Sequence, residues 1–174
     1  MRVKKEFLIP FEGLKVGKHP FSFDITNTFF EDLEYSLIDR GEIHVSMELE
    51  KKEQMMTASI HMQGFIWSEC DLCTEPLKVD VKVDHDVIFK FGEGDSDDED
   101  LIMVDPSDFE LDMAPVFYEL ITVSIPNKTT HEDGECNEDM LDLLDKYSGA
   151  EENEDEDENE DDIDPRWNAL KDLN

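Results

Sequence analysis

The residues best suited to chemistry are Cys70 and Cys73, in Cys70-Asp-Leu-Cys73, and His131 and Cys136, in His131-Glu-Asp-Gly-Glu-Cys136. Together they offer three thiolates and an imidazole, a donor set that suits a tetrahedral structural zinc ion. The spacing within each pair fits a chelating turn. The long gap between the pairs means that a shared metal would staple two distant segments. The alternative is that the cysteines are small, reduced and partly buried, beside a solvated His131. A redox Cys-x-x-Cys would need a strand-to-helix setting, and the flanks here read as strands. Asp71, Glu75, Glu132 and Glu135 crowd the site; they favour a bound cation and raise thiol pKa values. With only three cysteines, a disulfide framework is not expected and a reducing compartment is.

Little else points to catalysis. His19, His44, His61 and His85 are scattered, with no Ser, Cys or second His at catalytic spacing. His44 and His61 share the parity of polar neighbours and read as solvent-facing. The sequence contains no Gly-rich phosphate loop, nucleophile elbow or internal repeat. The acidic runs also fail as EF-hand loops: from Asp95 the sixth and twelfth positions are Asp100 and Pro106, and from Asp155 they are Glu160 and Arg166. A non-enzymatic protein is expected.

The elements that must position the cysteines are mostly strands. Phe7–Phe11 reads as a first strand, Gly17–Pro20 as a turn, and Phe21, Phe23 and Ile25 as a second strand. Phe29, Phe30, Leu33, Leu37 and Ile38 fall on one face of a short helix, with Thr28 as its cap. Ile43, Val45, Met47 and Leu49 alternate with polar residues, as do Met56, Ala58, Ile60 and Met62 across the polar turn 50–54. That is an antiparallel hairpin leading to Cys70. Leu77, Val79, Val81 and Val83 alternate again in a strand continuing to Phe91, so one sheet face should meet solvent. Leu101–Val104 is a further short strand. Met113, Val116, Phe117, Leu120 and Ile121 form the stripe of an amphipathic helix capped by Asp112, opened by Pro115 and closed by Pro126. The stripe reads as core packing. Residues 138–147 form a short helix. Residues 165–174 form an amphipathic one, with Trp167, Leu170 and Leu173 spaced by three. The fold class is α+β: a mainly antiparallel sheet or partly open barrel, with one packed helix and an acidic disordered tail.

The 174 residues include 47 Asp+Glu against 15 Lys+Arg, for a net charge of −32. Residues 151–162 are acidic at 10 of 12 positions and residues 92–100 at 6 of 9. Such runs repel themselves and bury nothing, so they read as a solvated loop and tail. They either keep the chain soluble or attract a basic partner at long range. Domain organisation follows: one domain over 1–148, an acidic tether over 149–164, and the terminal helix over 165–174. The charge argues against gripping DNA or RNA through phosphates, since islands such as Lys4, Lys5, Lys51 and Lys52 are too few. No apolar run approaches the roughly 20 residues of a membrane span, and no membrane partner is expected. The N-terminus lacks a signal-peptide pattern, so an intracellular, soluble protein is expected.

The strand leading into Cys70-Asp-Leu-Cys73-Thr-Glu-Pro76, the helix ending Ser-Ile-Pro126, the His131–Cys136 segment and the closing Asp164-Pro-Arg-Trp-Asn-Ala-Leu170 together resemble the YceD family, the large ribosomal RNA subunit accumulation proteins. The motif order is more specific than any single motif. The resemblance implies a bacterial or organelle-derived cytoplasmic factor that supports accumulation of large-subunit ribosomal RNA. It carries over Cys70, Cys73, His131 and Cys136 as candidate metal ligands. Combined with the charge, it leads to a non-catalytic adaptor for a basic ribosomal or RNA-processing protein, with any RNA association indirect. The alternatives are direct RNA binding through a local patch, or a zinc-stabilised acidic adaptor outside ribosome assembly.

Overall fold

The structure is a computed structural model and describes residues 5–92, 94 and 100–148. The predicted tether and terminal helix lie outside these residues, as does most of the acidic loop. The chain divides into two compact units, Met1–Asn137 and Glu138–Asn174.

The first unit is built on a five-stranded open sheet. Its strands are β2 (Gly17–Ile25), β3 (Arg40–Lys51), β4 (Met55–Glu69), β5 (Pro76–Phe91) and β6 (Leu101–Val104), lying side by side in that order. The first four are antiparallel neighbours, and β6 runs parallel to β5. A second sheet pairs β1 (Leu8–Ile9) with β7 (Leu111–Asp112). The first predicted strand is thus shorter at both ends: Phe7 belongs to a 3-10 turn over Lys5–Phe7, and the pairing stops at Ile9, before Pro10, which has no N–H to donate.

The alternation in the sequence becomes the two faces of the sheet. Ile43, Val45, Met47 and Leu49 on β3 and Met56, Ala58, Ile60 and Met62 on β4 are all buried, while their intervening neighbours are mostly exposed. On that inner face lie α1 (Asn27–Glu31) with Phe29 and Phe30, and α2 (Ala114–Ser124) with Val116, Phe117 and Ile121. Phe7 joins them, its ring centroid 5.0 Å from that of Phe29 and 6.2 Å from that of Phe117. Burying each such side chain contributes roughly 1.5–3 kcal/mol. Gly64 faces Ile43 across the β3–β4 ladder, and a Cβ there would sit 2.1 Å from the Glu42 carbonyl oxygen. Only glycine allows this approach.

Three local expectations need correction. Gly17–Pro20 is the start of β2, not a turn. β2 is an edge strand, where proline's missing donor is tolerated. The first helix is only five residues long and Thr26, not Thr28, stands at its N-cap. It ends before Leu37, which is 91% exposed and does not share the buried face of Phe29, Phe30, Leu33 and Ile38. In α2, Met113 occupies the N-cap position, and Asp112 Oδ1, one residue earlier, accepts the Ala114 N–H at 3.0 Å. The stripe itself packs as read, with Met113, Val116, Phe117 and Ile121 buried.

The N-terminal loop is held by one cation. Lys51 Nζ donates to the carbonyls of Phe11 at 2.7 Å and Leu14 at 2.9 Å. Of the second unit, α3 (Glu138–Tyr147) is described. Glu138 and Asp139 open it and Lys146 lies in its last turn, matching the helix dipole.

Candidate metal centre

The C-x-x-C lies in the tight connection from β4 to β5. Within it the Cys70 N–H donates to the Glu75 carbonyl and the Thr74 N–H to the Cys70 carbonyl, at 2.9 and 2.8 Å. Closing the loop this tightly places Thr74 at φ +60°, a left-handed conformation that a β-branched residue rarely adopts. The loop sends both thiols inward, where Cys70 and Cys73 are buried.

His131 and Cys136 arrive on the segment that follows α2. Asp71 ties this segment down: its N–H donates to the Thr129 carbonyl at 2.8 Å, and its carboxylate accepts the Thr129 N–H. Beyond the ligands, Asn137 Nδ2 donates to Glu75 Oε1 at 2.7 Å. Asp71 and Glu75 thus act as hydrogen-bond acceptors that bracket the second pair of ligands. Sequence reading registered them only as charge; the signal lay in their position beside the cysteines.

The four side chains converge. One ligand atom from each of Cys70, Cys73, His131 and Cys136 lies within 4.8 Å of all the others. Cys70 Sγ is 3.8 Å from Cys136 Sγ, and His131 Nδ1 is 3.4 Å from Cys73 Sγ and 3.9 Å from Cys136 Sγ. A tetrahedron with arms of about 2.3 Å has edges of about 3.8 Å, so these separations fit a Cys3His zinc centre. His131 Nε2 donates to the Pro76 carbonyl at 3.3 Å. That bond orients the ring so that Nδ1 faces the thiols, as a second-shell acceptor does at a metal-bound histidine. Zinc bound here would cross-link the β4–β5 loop to the segment after α2.

Titration follows the same geometry. Burial pushes the Cys70 thiol up, but N–H groups of Cys73, His131 and Leu72 together with the Cys73 side chain outweigh it and bring it down to about 6. Burial, then the Cys70 and Cys73 side chains, push Cys136 up to about 11. His131 is raised, chiefly by its hydrogen bond to Cys70, with burial opposing. Of these two thiols, Cys70 is the readier thiolate. The effect of the flanking carboxylates on the thiols, expected from sequence, is overtaken by burial and hydrogen bonding.

The remaining histidines lie elsewhere. His44 pairs with Asp24 at 2.8 Å and His61 with Asp84, both on the solvent face. His85 pairs with Asp100 at 2.9 Å and lines a groove of about 330 Å³ between β5 and α2. His19 Nε2 lies 2.7 Å from the Lys15 carbonyl.

A family model described as large ribosomal RNA subunit accumulation protein YceD matches residues 58–174. The chain belongs to the YceD family. The YceD match begins within β4 and takes in β5, β6, β7, α2, α3 and all four residues of the cluster. No curated protein and no solved structure matches the chain. Among the described residues no helix is long and apolar enough to cross a membrane.

Proposed function

We propose that this chain is a non-enzymatic factor in the accumulation of large-subunit ribosomal RNA, acting in the cytoplasm by holding a basic ribosomal or RNA-processing protein. Membership of the YceD family carries the process. The net charge of −32 carries the sign of the partner, because a polyanion of this size repels RNA and attracts cations at long range. Cys70, Cys73, His131 and Cys136 hold a structural zinc ion, which keeps the loop before β5 and the segment after α2 in one arrangement. The ion's contribution is cross-linking; four protein ligands leave no open position for a substrate. With one domain over 1–148, an acidic tether over 149–164 and a terminal helix over 165–174, the densest run of charge, 151–162, falls in the tether and steers a basic partner at long range.

The test is retention of proteins extracted from large ribosomal subunits on the immobilised full chain at low salt, with and without residues 151–174. The expected result is a basic protein retained by the full chain and released as salt rises. Retention of none at low salt would overturn the reading. So would tight binding of deproteinised large-subunit RNA by the pure chain.

A further inference from the structure

Between α1 and β3 the chain holds apolar side chains outward on a braced backbone. Leu33 and Ile38 are buried, yet between them Tyr35 is 51% and Leu37 is 91% exposed. The exposure does not come from a loose loop. The Leu37 N–H donates to the Tyr118 hydroxyl at 2.9 Å, Ser36 Oγ donates to the Ile38 carbonyl at 2.7 Å, and the Tyr35 ring stands edge-on to Tyr118 at 5.3 Å. An apolar group held this way has its ordering cost met before any partner arrives.

Leu37 borders a cleft of about 390 Å³ lined also by Trp67, Pro76 and Ser68 and by the charged side chains of Asp39, Glu69 and Arg40. The surrounding stretch is acidic: residues 31–42 contain Glu31, Asp32, Glu34, Asp39 and Glu42 against the single cation Arg40. Arg40 is set over the Trp67 ring at 5.4 Å. The site thus combines an apolar anchor point, an aromatic wall and two carboxylates against one guanidinium.

We propose that this cleft seats a basic protein segment, one apolar side chain of which packs on Leu37 and Trp67 while neighbouring Arg or Lys residues meet Asp39 and Glu69. This rests on the reading of the chain as a holder of basic proteins and gives that reading a place on the folded body. Charge complementarity selects the occupant. The excess of carboxylates over residues 31–42 repels the phosphates of RNA, and a second copy of a chain with net charge −32 is repelled in the same way. Hydrophobic packing at the centre with ionic contacts at the rim is the usual anatomy of a protein interface.

The experiment uses the full chain with a photo-crosslinking benzoylphenylalanine in place of Leu37. A control carries it in place of Val123, which is 78% exposed on α2. Each is irradiated with proteins extracted from large ribosomal subunits and, separately, with deproteinised large-subunit RNA. The expected outcome is a crosslink to one basic protein from position 37 and not from position 123. Leu37→Asp should then weaken retention of that protein about tenfold without changing the melting temperature, and the double variant Asp39→Asn with Glu69→Gln should weaken it and flatten its salt dependence. If the unaltered chain retains a basic protein and these variants retain it equally well, the cleft is not its seat and the broader reading survives. Retention of no basic protein by the unaltered chain defeats both. A crosslink from position 37 to RNA alone overturns the proposal.

Discussion

Cys136 is the residue on which the zinc reading turns, because the cysteine pair at 70 and 73 becomes a four-ligand site only with His131 and Cys136. Purified protein should contain about one zinc per chain, and Cys73→Ser should remove most of it, as read by elemental analysis. Binding should also release protons. Zinc requires a neutral imidazole and thiolates, while the metal-free cluster holds His131 above its ordinary 6.5 and Cys136 at about 11. Zinc added to metal-free protein in weak buffer near neutral pH should therefore acidify the solution, and apparent affinity should fall as pH falls. An unchanged pH on titration would count against metal ligation. Elsewhere, the Ser107 hydroxyl and N–H, 2.6 and 2.7 Å from Asp105 Oδ1, hold that carboxyl below its ordinary range. Its folded form binds protons less readily than the unfolded chain. The stability this contributes is present above the unfolded carboxylate pKa and is lost as pH falls through the lower folded value. Ser107→Ala should move the Asp105 midpoint upward in an NMR titration. The four residues of the cluster were legible in sequence because their types are scarce and paired. The Asp71–Thr129 clamp was not, since it depends on how two loops meet, nor was the left-handed Thr74, which comes from closing the β4–β5 loop on itself.

The elements owe their places to alternation and to a few tight contacts. Gly64→Ala should destabilise the chain by roughly 1–3 kcal/mol, because the added methyl must push β4 away from β3. Phe117→Ala, emptying a fully buried part of α2's packing, should cost about 3–5 kcal/mol. Denaturant midpoints would check both, and a Gly64→Ala midpoint equal to wild type would show that the strands can separate freely. β3, β4 and β5 were readable because each keeps a strict period of two over many residues. The start of β2 was not. Gly17 and Pro20 are local turn signals, and only the long-range fact that β2 lies at the sheet edge lets a strand carry them. Leu37 misled for a related reason: helical spacing continued in the sequence after the helix had ended, and the hydrogen bond from its N–H to Tyr118 joins residues 81 apart.

At the scale of the molecule, the proposed function gives charge the task of reaching a partner and zinc that of holding a shape. Removing residues 151–174 should lower the association rate with a basic protein and flatten its salt dependence, while the dissociation rate changes little. Stopped-flow or surface-binding kinetics at several ionic strengths would show this, and an unchanged association rate would exclude steering by the acidic run. The acidity and the open antiparallel sheet were visible in the sequence. The parallel pairing of β6 with β5 was not, because nothing local sets the direction of a strand that returns after a loop.

The sheet's rims have their own consequence. One rim, β6, is four residues long, and the other, β2, carries Lys18 and Pro20 exposed along its length. Short, charged or proline-bearing borders give incoming strands poor templates. Even at high concentration, then, copies of this protein should resist zipping into extended ribbons.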